Sequence, residues 1–142
     1  MAAIDRSILA LRVTGDDLDP DEISRILGSP PTQSERKGDI IRSQATGQSR
    51  VVKTGGWRLQ APDANPADVD GQVAQILSRL TSDTETWRVL ATRYQIDIFC
   101  GLFMRESNEG LELSPATMVE LGSRGILVDF DIYAPSDRSS ET

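Results

Sequence analysis

The chain contains no histidine, and that absence removes more chemistry than any other feature of its composition. Without imidazole there is no Ser-His or Cys-His nucleophile pair, no histidine general base near neutral pH and no histidine metal ligand. Cysteine occurs once, as Cys100. An intrachain disulfide and a thiolate zinc set are both excluded, and a reducing compartment is consistent with that usage. Long apolar runs are missing as well. The longest, Ile98 to Met104, is far too short to cross a bilayer, and Met1 to Ser7 lacks the basic start and hydrophobic region of a secretory signal. A cytoplasmic location without membrane association is the expectation. No Gly-x-x-x-x-Gly-Lys stretch occurs, so there is no phosphate cradle of the P-loop kind.

What is present is a chain of 142 residues, a length that fits a single domain able to bury a core without metal or disulfide staples. Hydrophobic residues make up 38% and charged residues 26%, the balance of a soluble globular protein rather than a disordered one. The formal net charge is -7. Binding to nucleic acid or to anionic membrane is therefore not expected, because both polyanions repel the molecule as a whole. The charge is uneven. Between Glu35 and Arg58 the cations Arg36, Lys37, Arg42, Arg50, Lys53 and Arg58 stand against only Glu35 and Asp39, a local +4 that leaves -11 on the rest of the chain.

Acidic residues concentrate in "TGDDLDPDEISRILG", Thr14 to Gly28, where Asp16, Asp17, Asp19, Asp21 and Glu22 fall almost together. A calcium reading fails because an EF-hand loop needs glycine for its sharp turn where Glu22 follows Asp17, Asp19 and Asp21. A helix start explains the cluster better. Asp19 sits where an N-cap belongs, Pro20 fits the first helical position and Glu22 stands three residues after the cap. Asp21 and Glu22 face the positive end of the helix dipole. Ile23, Ile26 and Leu27 supply a short apolar face, and Gly28 followed by Pro30 and Pro31 ends the helix.

Before this helix, Ser7 to Thr14 alternates, with Leu9, Leu11 and Val13 to one side and Ala10, Arg12 and Thr14 to the other, which predicts a strand. After it, Ser29 to Ser49 is polar and basic and is expected to be a long loop with one strand near Asp39 to Ser43; loops of that length are functional or mobile. Arg50 to Gln60 reads as strand material around Gly55 and Gly56, with Trp57 a core residue. Asn65-Pro66 is expected to open a helix with Asp68 in its first turn and Val69, Val73, Ile76, Leu77 and Leu80 on one stripe. Ser82 and Glu85 spell a capping box for a second helix, on which Trp87, Leu90, Ala91 and Tyr94 share a face.

Gln95 to Met104 predicts a strand with Ile96, Ile98, Cys100 and Leu102 on one face, which makes Cys100 an inert buried thiol. Ser114 and Pro115 repeat the cap grammar of the first helix, with Met118 and Leu121 as its apolar face and Gly125 at its end. The recurrence of Leu18-Asp19-Pro20 as Leu113-Ser114-Pro115 hints at a duplicated unit, although capping chemistry alone produces the same spelling. Ile126 to Tyr133 alternates strictly, with Val128, Phe130 and Ile132 opposite Asp129, Asp131 and Tyr133. Residues 1–6 and 134–142 are expected to be flexible ends.

"TGDDLDPDEI" with Leu27-Gly28 and Pro31-Thr32, then Lys37-Gly38, Gly56-Trp57, the "GLELSP" of Gly110 to Pro115 and the closing "VDFDIY" together resemble a bacterial family known as domain of unknown function 4279. The similarity runs in order from Ile8 to Tyr133. It implies no reaction, cofactor or catalytic residue.

The order strand, helix, hairpin, helix pair, strand, helix, strand predicts an α+β fold, mainly an antiparallel sheet with helices packed on one face, a sandwich related to the ferredoxin-like kind. If Leu9, Leu11, Val13, Val128, Phe130 and Ile132 face the helices, then Arg12, Asp129, Asp131 and Tyr133 share the opposite face. Asp129 and Asp131 would then stand about 7 Å apart along the strand at ~3.3 Å per residue. The plain reading is a solvated sheet face on which Arg12 pairs across strands with an aspartate.

The sharper reading is a recognition surface for a charged protein partner, bordered by the basic segment, on a non-catalytic protein of the inhibitor or immunity type. A second reading gives the basic loop a small anionic ligand held by Arg36, Lys37 and Arg42. A third places a divalent cation or acid-base pair on Asp129 and Asp131, with Asp16 or Asp17 as a further ligand, although paired aspartates alone carry little signal. The candidate ligand- or partner-binding residues are thus Arg12, Arg36, Lys37, Arg42, Arg58, Asp129, Asp131 and Tyr133, with no catalytic residue, metal ligand or cofactor expected.

Overall fold

The computed structural model describes residues 2–136. The elements run β1 (Ala2–Ala3), β2 (Arg6–Gly15), α1 (Pro20–Leu27), β3 (Gln33–Glu35), β4 (Ile40–Arg42), β5 (Ser49–Val51) and β6 (Gly55–Gln60). They continue through α2 (Val69–Leu77), α3 (Thr84–Arg93), β7 (Gln95–Phe103), β8 (Glu109–Gly110), α4 (Pro115–Ser123) and β9 (Leu127–Tyr133). Five strands make the main sheet in the order β3-β6-β2-β7-β9. Every pairing in it is antiparallel except β7 with β9, which are parallel. That parallel pair needs a crossover, and α4 lies between its two strands in the chain. Two small ribbons, β4-β5 and β1-β8, stand apart from this sheet. The fold is α+β, mainly antiparallel, with its helices on one face.

The alternation of β2 decides which face is buried. Leu9, Leu11 and Val13 are at most 1% exposed, and the register sets them opposite Cys100, Ile98 and Ile96 of β7. On the other side Leu11 and Val13 lie opposite Leu59 and Trp57 of β6. Ile23 and Leu27 of α1, Val73 and Ile76 of α2, Trp87 and Leu90 of α3 and Leu121 of α4 join the same core. Both tryptophans are buried with their indole N–H groups satisfied: Trp57 donates to Ser24 Oγ at 3.1 Å and Trp87 to the Thr81 carbonyl at 2.8 Å. A buried indole without a partner would carry a desolvation cost of ~1–3 kcal/mol.

A polar lock seats α2 on β2. Gln72, 2% exposed, accepts from Ser7 Oγ at 2.6 Å and donates through Nε2 to the Ser7 and Pro62 carbonyls at 3.0 Å. Nothing in the periodicity of the sequence announces this glutamine, because its helix stripe is apolar. Gly28 closes α1 at φ 92, a conformation that only glycine adopts without strain. Gly55 permits a close approach, since a Cβ there would meet the Gly15 carbonyl oxygen at 2.8 Å.

Several local expectations shift. Asp19 caps α1 by accepting from Asp21 N–H, but Glu22 binds Arg93 at 2.9 Å. The helix expected to open at Asn65-Pro66 starts at Val69 with Asp68 as its cap, and α3 is capped by Asp83 where Ser82 was expected. In both cases a competing aspartate lies closer to the first helical residue. The segment from Ser29 to Ser49 holds β3, β4 and the start of β5. Backbone pairing recruits these short polar strands, and such pairing leaves no apolar alternation to read. At the amino end Ile4 is buried and its carbonyl accepts from Ala67 N–H at 3.0 Å, which ties this end to the fold at Ile4 while Ala2 and Ala3 stay exposed. Residues 137–142 of the expected flexible tail lie outside the described residues.

Candidate functional site

Helices cover one face of the sheet, and the register lays out the other row by row, since residues paired across a ladder share a face. One row runs Gln33, Arg58, Arg12, Asp97 and Leu127. The next holds Gln60, Ala10, Phe99 and Asp129, followed by Ile8, Gly101 and Asp131, and then Arg6, Phe103 and Tyr133. The strand alternation read from the sequence thus brings Arg12, Asp129, Asp131 and Tyr133 onto one surface, and the β2–β6 register adds Arg58 to it.

Arg12 organises its centre. Its Nε donates to Asp97 Oδ1 at 2.8 Å and an Nη to Asp97 Oδ2 at 2.6 Å, and Asp129 lies at 3.5 Å. The guanidinium also sits 5.2 Å from the centre of the Phe99 ring. The hydrogen bonds to Asp97, opposed by partial burial and aided by the charges of Asp97 and Asp129, raise the Arg12 pKa above its ordinary value. A half-buried bidentate pair of this geometry exceeds the usual exposed ion pair and contributes about 1 kcal/mol. The expected cross-strand pairing of Arg12 is present, with Asp97 of β7 as the principal acid.

Arg58, directly opposite Arg12, contrasts with it. Among the described residues no carboxylate pairs with Arg58, and its buried Nε has no hydrogen-bond partner. Like charges facing across a ladder are unfavourable, and Arg12 alone is neutralised. A hollow of about 220 Å³ opens beside them, lined also by Thr14, Gln33, Ser34, Trp57 and Glu35, whose carboxylate is bound by Arg50.

The far end of the face is aromatic. Phe103 and Tyr133 stack with ring centres 4.7 Å apart and planes inclined by 7°, and the Arg6 guanidinium lies 4.1 Å from the Phe103 ring centre. Tyr133 Oη donates to Asp131 Oδ2 at 2.6 Å, and this bond to the neighbouring carboxylate raises the phenol pKa.

β9 differs from its expected burial. Val128 packs against the core, but Phe130 is 39% and Ile132 59% exposed. Both side chains fall on the helix side by alternation, and at this sheet edge the described residues leave them open.

The basic segment has a separate location. Arg36 binds Asp19 at 2.9 Å and Asp21 at 3.1 Å, and Lys37 reaches Asp16 at 3.4 Å. The acidic run before α1 and the basic loop after it are therefore each other's counter-ions. Desolvation opposes the shift, but Asp21 N–H and the Arg36 guanidinium hold the Asp19 carboxyl below its usual range. Arg42 sits on the β4-β5 ribbon, donating through Nε to the Gly47 carbonyl at 3.3 Å. Arg36, Lys37 and Arg42 do not join the sheet-face group.

One family model matches the chain, Domain of unknown function (DUF4279), over residues 5–135. The chain belongs to this family. No curated protein and no solved structure matches it. The DUF4279 match spans all five strands of the main sheet and hence the whole open face.

Sequence reasoning missed Asp97, Phe99, Phe103 and Arg6 on this DUF4279 surface. The signal was available in "QIDIFCGLFM", where assigning Ile96, Ile98 and Cys100 to the core sends Asp97 and Phe99 to the other side. Cys100 itself is fully buried, and burial pushes its thiol up to about 11. Among the described residues no group of three or more acidic or cysteine side chains converges in a metal-binding arrangement. Among the described residues no helix is long and apolar enough to cross a membrane.

Proposed function

We propose that the protein is a non-catalytic interaction module of the bacterial cytoplasm, of the inhibitor or immunity type, which holds a protein partner on its open sheet face and the adjoining β9 edge. The observation that carries this reading is the concentration of exposed apolar and acidic groups on one strand. Leu127, Phe130, Ile132 and Tyr133 are 39–62% exposed, with Asp129 and Asp131 between them. Phe130 and Ile132 lie bare on the helix side and Leu127 on the open face, so both sides of the edge strand offer apolar surface that a partner can cover. The acidic pair supplies steering toward a basic surface, which makes association fast and salt-sensitive. A lone, deeply buried cysteine suits a reducing compartment. An Asp129→Asn/Asp131→Asn double variant tests the reading: immobilised on resin, it should retain its melting temperature and capture less partner from a cell lysate. Undiminished capture counts against the acidic surface.

A second reading, a small anionic ligand, is favoured by Arg58 rather than by the basic loop. Arg36 and Lys37 already have carboxylate partners, whereas Arg58 borders the hollow without an ion-pair partner among the described residues, the Glu35 that also lines it being held by Arg50 at 2.8 Å. An anion selective for the native state must raise the melting temperature. A shift with phosphate or citrate that disappears in Arg58→Gln supports this site; a shift unaffected by the substitution removes it.

A further inference from the structure

Three properties of the β9 edge bear on how a partner is held. The first is unused hydrogen-bonding capacity. The Tyr133 carbonyl accepts from Met104 N–H at 3.1 Å on the β7 side, and backbone groups alternate in direction along a strand. Leu127, Asp129, Asp131 and Tyr133 therefore turn their backbone groups toward β7, while Val128, Phe130 and Ile132 turn theirs outward. No described strand pairs on that outer side. The second property is the bare apolar surface of Phe130 and Ile132 toward the helix layer. The third is charge: Asp129 and Asp131 project from the open face, and the nearest cation to Asp129 is Arg12 at 3.5 Å, already held closer by Asp97.

We propose that β9 accepts an extended segment of a protein partner as a sixth strand, a segment that alternates apolar residues with lysine or arginine. Residues opposite one another in a ladder share a face. The partner's apolar side chains would then cover Phe130 and Ile132 while its cations meet Asp129 and Asp131. Main-chain bonds supply affinity in strand addition and the alternate side chains supply specificity. The pattern reads the same in both directions, so it is met by a parallel or an antiparallel strand. A second copy pairing through the middle of β9 does not meet it. Antiparallel pairing of β9 with itself centred on Asp129, Phe130 or Asp131 sets aspartate opposite aspartate, as in-register parallel pairing also does, and like charges directly opposite are destabilising. The same two acids protect the bare edge against self-association.

This inference rests on the interaction reading above, and the test separates the two. The probe is a fluorescent synthetic peptide about nine residues long, alternating isoleucine or valine with lysine, titrated against the full chain by anisotropy. Saturable binding is expected, weakened about tenfold by Asp129→Asn/Asp131→Asn and by raising salt from ~0.1 to ~0.5 M. Ile132→Pro should abolish binding: it removes one outward N–H and none of those directed at β7, at the kind of edge position where proline is tolerated. Should that variant fail to fold, a peptide N-methylated on its ladder-facing amides makes the same test from the partner's side. Equal binding of a peptide with glutamate in place of lysine overturns the proposal, as does undiminished binding of the N-methylated peptide. A dimer in sedimentation that Ile132→Pro disperses overturns it too, because the occupant would then be a second copy. Native-partner capture lost on neutralising the sheet face but kept in Ile132→Pro ends strand addition alone; capture kept in both ends the interaction reading as well.

Discussion

β2 and β9 carry the same kind of spelling and meet opposite fates. Leu9, Leu11 and Val13 alternate along β2 just as Val128, Phe130 and Ile132 alternate along β9, yet Leu11 is 0% exposed and Ile132 is 59% exposed. The difference lies in neighbours. β2 is central, with β6 and β7 on its two sides and helices above it, whereas among the described strands β9 has only β7 beside it. Alternation fixes which face a side chain occupies; position in the sheet fixes how deeply that face is covered. A buried apolar set stabilises the fold, and a similarly alternating set at an edge stays open.

The largest test of this contrast is truncation in each strand. Leu11→Ala should cost about 3 kcal/mol in denaturant unfolding, the transfer and cavity loss of a fully enclosed leucine. Ile132→Ala should change stability by less than ~0.5 kcal/mol, as exposed positions do. Equal losses would mean that β9 is covered in solution. Next in size is Arg12→Ala, which frees Asp97 and Asp129 on the half-buried face and should cost about 1 kcal/mol by the same measurement.

Acid sharpens the comparison from the helix side. Asp70 of α2 accepts from Thr117 Oγ1 at 2.7 Å and from Ser114 N–H at 3.1 Å, tying α2 to the start of α4, the helix that precedes β9. The Thr117 hydroxyl first, and then Ser114 N–H, hold this carboxyl below its ordinary value of 3.8. A depressed folded-state pKa contributes stability that is complete above the ordinary value and is lost as pH falls through the lower one. Unfolding midpoints between about pH 6 and about pH 2 should therefore fall more steeply for the native chain than for Asp70→Asn. Parallel curves would dissociate Asp70 from the stability of that end of the sheet.

Smallest of all is the change expected at the thiol. Cys100 faces the core beside Leu9, and burial pushes its pKa up to about 11, so a thiol reagent should label it only on unfolding. Its labelling rate should rise with Leu11→Ala and stay unchanged with Ile132→Ala. Hydrogen exchange gives the backbone counterpart: slow amides throughout β2, and in β9 slow ones only at the residues turned toward β7.

Much of this was legible in the chain. Periodicity of two placed β2, β7 and β9 and sorted Arg12, Asp129, Asp131 and Tyr133 onto one side, because pleating sends successive residues to opposite faces whatever the fold. Cap chemistry placed α1 and α4, because unsatisfied N–H groups at a helix start need a nearby acceptor wherever the helix lies. The family resemblance added its span and no chemistry. The partner of each charge was not legible. Arg12 meets Asp97 across 85 residues of sequence, and the acidic run before α1 meets Arg36 and Lys37, pairings set by strand register and loop path.

The sequence by itself determined the faces of the strands, the caps of α1 and α4 and the absence of imidazole chemistry, because each of these depends on residues a few positions apart or on composition alone. Only the tertiary structure decided that β9 ends the described sheet, that Arg58 has no ion-pair partner among the described residues while Arg12 has two acids nearby, and that Ser7 and Gln72 lock α2 onto β2. Burial and charge neutralisation depend on what long-range packing brings alongside, and a local pattern carries no record of its neighbours in space.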